Sequence, residues 1–526
     1  MAARADPPDR GLRRILVANR GEIAVRIIRA CRELGLEVVA VASDADLDAP
    51  HARLADRTLH LGPADPAESY LHVGRLLDAA RQSGADAVHP GYGFLAESSA
   101  FAEAVAGAGL RFIGPPAAVI ARLGDKTAAR TLAEAAGVPT VAGGGGDGSA
   151  DALAAAAQTL GYPVVVKAAA GGGGRGMRVV ERPADLRPAL ELAEREARAA
   201  FGDGRLFLER RLPDVRHVEV QILADAHGHA LALGERECSV QRRHQKLVEE
   251  APSPYVDGDL RGRLAAAAVA VARAAGYVNA GTVEFLLAPD GRFYFLEVNT
   301  RLQVEHPVTE LVTGVDLVKA QLRIAAGEPL SGSGDAAGLS LGESPEPRGH
   351  AIECRVCAED PAEGFRPSPG PILVLDEPGG PGVRVDSGLR QGWRVPAAYD
   401  SLLAKVIVWD RSRAGAIARM DQALRAYVIL GCGTNLAFLR DVIRHEAFRR
   451  AETTTDFLDR YFAGWQPEAS AGALAVAAAL SADAPPGDRA PRDQEGTRER
   501  RDRDRLPDPW DAGSGWRLGS GQQSDD

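Results

Sequence analysis

The chain has 526 residues, 45% of them hydrophobic and 25% charged, which is too long for one core and predicts about three globular domains. Its net charge of -10 excludes broad attraction to nucleic acid or an anionic membrane, so any anion site must be a local one. Cys31, Cys238, Cys354, Cys357 and Cys432 are odd in number and scattered, a pattern that disfavours a disulfide framework and suits a reducing compartment. No apolar run approaches the roughly 18 residues of a membrane helix, and the first residues lack the apolar segment of an export signal. The expectation is a cytoplasmic protein with no nucleic-acid or membrane partner.

In chain order, ILVA from Ile15 reads as a buried strand, NRGE as a turn, IAVRIIRACRELG as an amphipathic helix and EVVAVAS as a second strand. This is the rhythm of a doubly wound α/β domain, expected over 11–124. The turn is not GxGxxG, which argues against dinucleotide binding. A helix from Lys126 follows, then a glycine run from Gly143 that reads as a linker, then strand PVVVKAAA and a second run, GGGGRG. Strands LFLERRL, HVEVQILAD, ALALGER, GTVEFLLA and RFYFLEVN predict an antiparallel sheet and an α+β domain over 125–330. Residues 331–348 read as a Ser/Gly/Pro-rich linker and 349–462 as a mixed third domain. The charged tail, 463–526, is too poor in apolar surface to fold alone. Cys354 and Cys357 make a lone CxxC, read as ordinary strand residues.

The densest chemistry lies in EVNTRLQVEHP. Glu297, Asn299, Arg301, Gln303 and Glu305 alternate with Val298, Leu302 and Val304, so an extended chain would place all five on one face. Such a face offers oxygens to a hard cation, a guanidinium to an anion and a carboxylate for proton abstraction. Glu284 in GTVEFLL is flanked by apolar residues, where a carboxylate is costly unless paired or bound to metal; with Glu297 and Asn299 it suits magnesium. The second glycine run follows a β-branched strand ending at Lys167, an arrangement suited to a flexible phosphate lid, although no Walker A motif is present. Of 62 basic residues only Lys126, Lys167, Lys246, Lys319 and Lys405 are lysines, and three of them lie in these motifs. A compact ammonium differs in reach from a guanidinium. QRRHQK, with His244 and Lys246, adds a basic cluster.

Together ANRGEIAVRIIRA, HPGYGFLAE, GDK, VVVKAAAGGGGRGM, RHVEVQ, QRRHQK and EVNTRLQVEHPVTE closely resemble biotin carboxylase, an ATP-grasp enzyme, in order to about Phe462. The resemblance implies an N-terminal doubly wound domain, an ATP-grasp domain and a mixed C-terminal domain. It also implies that ATP is held by Lys126, Lys167, Gly173, Gly174, Glu209, Arg210, Arg211, Leu212, His217, Gln241 and His244. Glu284, Glu297 and Asn299 would bind magnesium, or manganese in its place, as two ions. Bicarbonate would lie against Lys246, Arg301, Gln303, the backbone of Val304 and Arg355, with Glu305 as the base, and Arg355 would stabilise the biotin oxyanion. Ala170 and Arg211 depart from the family pattern. Arg26 and Arg29 lie on a helix similar to the family's dimer contact, which implies a homodimer.

None of Met1, Met177 and Met420 is beside a lysine, so the family's biotin-accepting lysine is not found. The expected partners are therefore a separate biotin carboxyl carrier protein or domain and a carboxyltransferase subunit, with biotin as a substrate carried by another chain. The competing readings are another ATP-grasp ligase and a non-catalytic scaffold subunit, which differ from the first in what Glu305 and Arg355 would do.

Overall fold

Buried β-branched runs alternate with amphipathic helices at the start of the chain and form a five-stranded parallel sheet. Its strands are β1 (Arg14–Val17), β2 (Glu37–Ser43), β3 (Arg57–Gly62), β4 (Ala87–His89) and β5 (Arg111–Phe112), in the order β3-β2-β1-β4-β5. This is the doubly wound arrangement, whose order reverses beside β1. The first helix, Gly21–Glu33, starts at the glycine of the NRG segment and buries Ile23, Ile27 and Ile28 against the sheet and a later helix, Leu317–Ala326.

The computed structural model describes residues 11–145, 148–169, 177–330 and 345–468. The second glycine run from Ala170, including Gly173 and Gly174, most of the 331–348 segment and the tail beyond 468 lie outside the described residues.

Two antiparallel sheets follow. The smaller contains β6 (Gly143–Gly144), β7 (Val164–Ala168), β8 (Arg178–Val180) and β9 (Leu206–Arg210), in the order β6-β9-β7-β8. The first glycine run therefore supplies a strand where a linker was expected. A Cβ on Gly143 would come within 2.6 Å of the Leu208 carbonyl oxygen, so glycine here permits close backbone pairing.

The larger sheet has eight strands: β10 (Arg216–Ala224), β11 (Ala230–Arg242), β12 (Gln245–Ala251), β13 (Asn279–Leu287), β14 (Phe293–Asn299), β15 (His350–Cys357) and two more from the C-terminal part. Small ribbons of β16 (Glu359–Asp360) with β17 (Arg366–Pro367), and of β18 (Val374–Asp376) with β21 (Val428–Leu430), flank the last two strands, β19 (Val383–Ser387) and β20 (Leu402–Asp410). The order β14-β13-β10-β11-β12-β15-β20-β19 runs without a break from residues 216–299 into 350–410. The central and C-terminal parts thus share one sheet. One face of β10 and β13 is apolar: Val218, Val220, Ile222, Val283 and Phe285 pack against helix Gly258–Ala275. The other face is polar yet buried. A separate C-terminal core gathers Ile352, Cys354, Val406, Met420, Phe438 and Val442.

The N-terminal turn also touches the end of β19. A Cβ on Gly388 would lie 2.7 Å from the Glu22 amide nitrogen and 2.9 Å from the Gly21 carbonyl carbon. Gly388→Val is therefore expected to destabilise the fold by about 1–3 kcal/mol through overpacking. The readout is a lower denaturant midpoint at unchanged slope; an unchanged midpoint would contradict this close approach.

Candidate active site

A cleft of about 930 Å³ opens between the parallel sheet, the small sheet and the polar face of the large one. It is lined by Lys126, Lys167, Glu209, Arg210, Arg211, Leu212, His217, Gln241, His244, Lys246, Glu284, Glu297, Asn299, Arg301, Gln303, Val304 and Arg355. Glu305, expected among them, is fully buried and lies behind the lining.

At one end, Asp125 caps helix Lys126–Ala135 by accepting from the Thr127 and Ala128 amides, which fixes Lys126 at the first helical position. Its ammonium donates to Glu297. Lys167 on β7 donates to Glu209 on β9, and Arg130 pairs with Glu209 at 3.2 Å. Arg211 is engaged with Glu181 at 2.6 Å.

The tight turn between β11 and β12 puts Arg243 and His244 at φ values of 48° and 66°. Both central residues of this hairpin turn take positive φ, for which glycine or asparagine is the usual choice. Non-glycine residues held there are a cost that functional sites tolerate. Burial, followed by the charges of Lys167 and His217, lowers the His244 pKa.

Pairing across the large sheet places chemistry in rows. Glu219 on β10 stands opposite Glu284 on β13, which stands opposite Glu297 on β14; on its other side Glu219 faces Arg236 on β11. Asn299 donates to Glu284 at 2.8 Å and His217 lies 3.0 Å from it. Lys246 reaches into this row from β12. Its ammonium donates to Glu284 and Glu305, each at 2.7 Å, and to Glu219. Arg236, wholly buried, donates to Glu219, Gln221, Thr309 and Thr282. Burial alone would push the Glu284 carboxyl up, but Lys246 and His217 outweigh it and hold it ionised.

Beyond Asn299 the alternation gives out, because the strand ends there and the chain turns. Arg301 and Gln303 stand in a loop, and Glu305, at φ -81° and ψ 9°, precedes helix His306–Thr313, whose first turn contains Pro307. Proline is favoured at a helix start because it lacks the amide hydrogen that would be unsatisfied there. The five side chains still converge, by a loop and a helix start in place of one long strand. Arg301 donates to Glu97 at 2.8 Å and to Gln303 and Asn299 at 3.2 Å. Gln303 Nε2 is buried and has no hydrogen-bond partner among the described residues.

Glu305 is gripped from both sides, by Lys246 and by Arg355, which donates to it at 2.9 Å and to Glu249 at 2.6 Å. Burial opposes its ionisation, yet the Lys246 and Arg355 charges hold its pKa well below the usual range. Glu249, opposite Glu353 on β15, is pushed up to about 7 by burial despite Arg355.

Sequence reasoning missed Glu219, Arg236, Glu97 and Glu249. Glu219 had a signal: His217, Glu219 and Gln221 alternate with valines in HVEVQ, and all three are buried. The CxxC residues Cys354 and Cys357 are buried strand residues with thiol pKa values raised by burial. Arg26 is buried against Glu310 and Asp316 of its own chain at 2.9 and 2.6 Å. Among the described residues, no helix is long and apolar enough to cross a membrane.

This constellation lies within three matched family models: "Biotin carboxylase, N-terminal domain" over residues 11–120, "Carbamoyl-phosphate synthase L chain, ATP binding domain" over 125–333 and "Biotin carboxylase C-terminal domain" over 353–460. The chain belongs to the biotin carboxylase family. Among its relatives, the biotin carboxylase of Pseudomonas aeruginosa is 49% identical over 85% of this chain and 98% of its own length. Biotin carboxylase 1 of Bacillus subtilis is 48% identical over 86% and 99%. A biotin carboxylase β,γ-ATP complex from Campylobacter jejuni superposes with a TM-score of 0.82 at 43% identity, covering 86% of this chain and 99% of that one. The biotin carboxylase domain dimer of Hydrogenobacter thermophilus 2-oxoglutarate carboxylase, in complex with MgADP, ADP and bicarbonate, gives 0.83 at 42% identity over 88% and 100%. The activity of the chain is the ATP-dependent carboxylation of biotin.

Lys246→Met would leave three buried carboxylates facing one another. The expected loss is about 3–5 kcal/mol of stability at neutral pH. Without the ammonium, the folded-state pKa values of these carboxylates rise above their unfolded values, so the folded variant binds more protons than its unfolded chain. Its deficit against wild type should shrink as pH falls from 8 to 5. Denaturant unfolding at both pH values checks this; a deficit that is constant or larger at pH 5 would contradict it.

Proposed function

We propose that the cleft makes carboxyphosphate from ATP and bicarbonate, then delivers the resulting CO2 to biotin. The observation that carries this reading is Glu305, a buried carboxylate held ionised between Lys246 and Arg355, together with Gln303 Nε2, which has no hydrogen-bond partner among the described residues. An anion entering here meets two cations, a free amide donor and a carboxylate.

ATP lies along Lys126, Lys167, Glu209–Leu212, His217, Gln241 and His244, with the 170–176 glycine run, including Gly173 and Gly174, as its phosphate lid. Glu284, Glu297 and the Asn299 amide offer a set of hard oxygens, with the two carboxylates opposed across β13 and β14, and these fit magnesium, as two ions. The bound metal supplies charge neutralisation on the phosphates.

Bicarbonate is read by Arg301, Gln303, the Val304 amide, Lys246 and Arg355. As it draws Lys246 and Arg355 toward itself, Glu305 loses the charges that held its pKa down and becomes basic enough to take the bicarbonate proton. The bicarbonate oxygen then attacks the γ-phosphate, breaking its bond to ADP and forming carboxyphosphate. Carboxyphosphate divides into CO2 and phosphate. The phosphate takes the ureido N–H proton of biotin, Arg355 stabilises the oxyanion left on the ureido carbonyl, and the nitrogen attacks CO2. We infer that biotin arrives on a carrier protein or domain, that a carboxyltransferase consumes the carboxybiotin, and that the chain works as a homodimer in the cytoplasm.

Glu305→Gln keeps the shape but removes the base. Biotin carboxylation should fall by about 100-fold or more, while ATP affinity, read by calorimetry, stays near wild type. Turnover within a few-fold of wild type would remove Glu305 from this role. Chelation of divalent cations is expected to abolish ATP cleavage, and added magnesium to restore it; persistent cleavage in chelator would contradict the Glu284–Glu297–Asn299 assignment.

A further inference from the structure

Lys405 is a buried lysine that none of these steps uses. It stands on β20, opposite Arg355 on β15, and is wholly buried. Its ammonium donates to the Val304 carbonyl at 2.9 Å. Glu22, in the first turn of helix Gly21–Glu33, lies 3.3 Å away, and Asp386 on β19 lies 3.7 Å away. One ammonium thus joins the N-terminal turn, the central loop and the C-terminal strands.

The preceding carbonyl is tied down as well. His306 Nδ1 lies 2.8 Å from the Gln303 carbonyl oxygen, and since a carbonyl only accepts, Nδ1 is the donor. Burial, followed by the Lys405 charge, keeps this histidine neutral. With both carbonyls drawn inward, Gln303 and Val304 line the cleft. The chain uses only five lysines among 62 basic residues, and a compact ammonium with three donors suits this closed position where a planar guanidinium would not.

We propose that Lys405 is a positioning residue for bicarbonate: by pinning the Val304 carbonyl it fixes the Gln303–Glu305 turn on which the anion is read. The proposal rests on the assignment of bicarbonate to Arg301, Gln303 and Val304. It predicts an effect on one substrate only, whereas a general loosening of the fold would disturb both.

The test is steady-state biotin carboxylation by full-length Lys405→Met. Because this change strands Glu22 in the interior, Lys405→Met/Glu22→Gln is made beside it, with Glu22→Gln as its reference. The KM for bicarbonate should rise at least tenfold and the KM for ATP should stay within twofold. Equal rises for both substrates, or an unchanged bicarbonate KM in a folded variant, would overturn the proposal. So would a double variant that fails to fold, which would assign Lys405 to packing between the parts of the chain. Arg301→Ala, run in parallel, separates two failures. If it raises the bicarbonate KM and the Lys405 variants do not, the Lys405 proposal alone is wrong; if neither raises it, the bicarbonate site is misplaced.

Discussion

Three carboxylates, Glu219, Glu284 and Glu305, converge on the single ammonium of Lys246 in a site closed to water on the protein side. Removing four charges from water is expensive, and an apolar cluster of the same volume would often be as stable. The cluster makes physical sense if its members change partners during the reaction. Cations that grip carboxylates can turn to incoming anions, and carboxylates can turn to a metal. On the proposed reading the protein's internal ion pairs stand in for those of the Michaelis complex, and the site stays charged without being unsatisfied.

The large sheet makes such an arrangement rigid. Glu219, Glu284 and Glu297 occupy matching positions on neighbouring strands, so their spacing is set by backbone hydrogen bonds. Because the sheet continues through β15 and β20, Arg355 and Lys405 are fixed by the same ladder. The parallel sheet contributes from the other side: Glu97 holds Arg301, and Glu22 faces Lys405. The mobile demands of the reaction fall on the side chains, and the frame behind them does not need to move.

Much of this was legible from residue order. A βαβ rhythm pointed to the parallel sheet, and polar groups alternating with apolar ones in FLEVN pointed to the cleft-facing side of β14, where Glu297 and Asn299 stand. The same periodicity overreached at Arg301–Glu305: period two predicts one extended face, but Pro307 starts a helix and the chain turns before it. Glu305 still reaches the site because Lys246 and Arg355 come to it from other strands, a long-range fact that local periodicity does not carry. Glu219 was visible in HVEVQ by the same alternation and was overlooked. Lys405 stood out only as one of five lysines and Glu97 not at all, since each acts through a contact roughly 100 or 200 residues away in sequence. Gly143–Gly144 looked like a linker because its pairing with β9 depends on strand register.

Everything proposed for the cleft turns on one step, the attack of a bicarbonate oxygen, activated at Glu305, on the γ-phosphate of ATP. Turnover with ¹⁸O-labelled bicarbonate in unlabelled water reads that step, with mass spectrometry of the released phosphate. Attack as described puts one labelled oxygen in each inorganic phosphate formed. Phosphate free of label, with the third bicarbonate oxygen released to water, would contradict it.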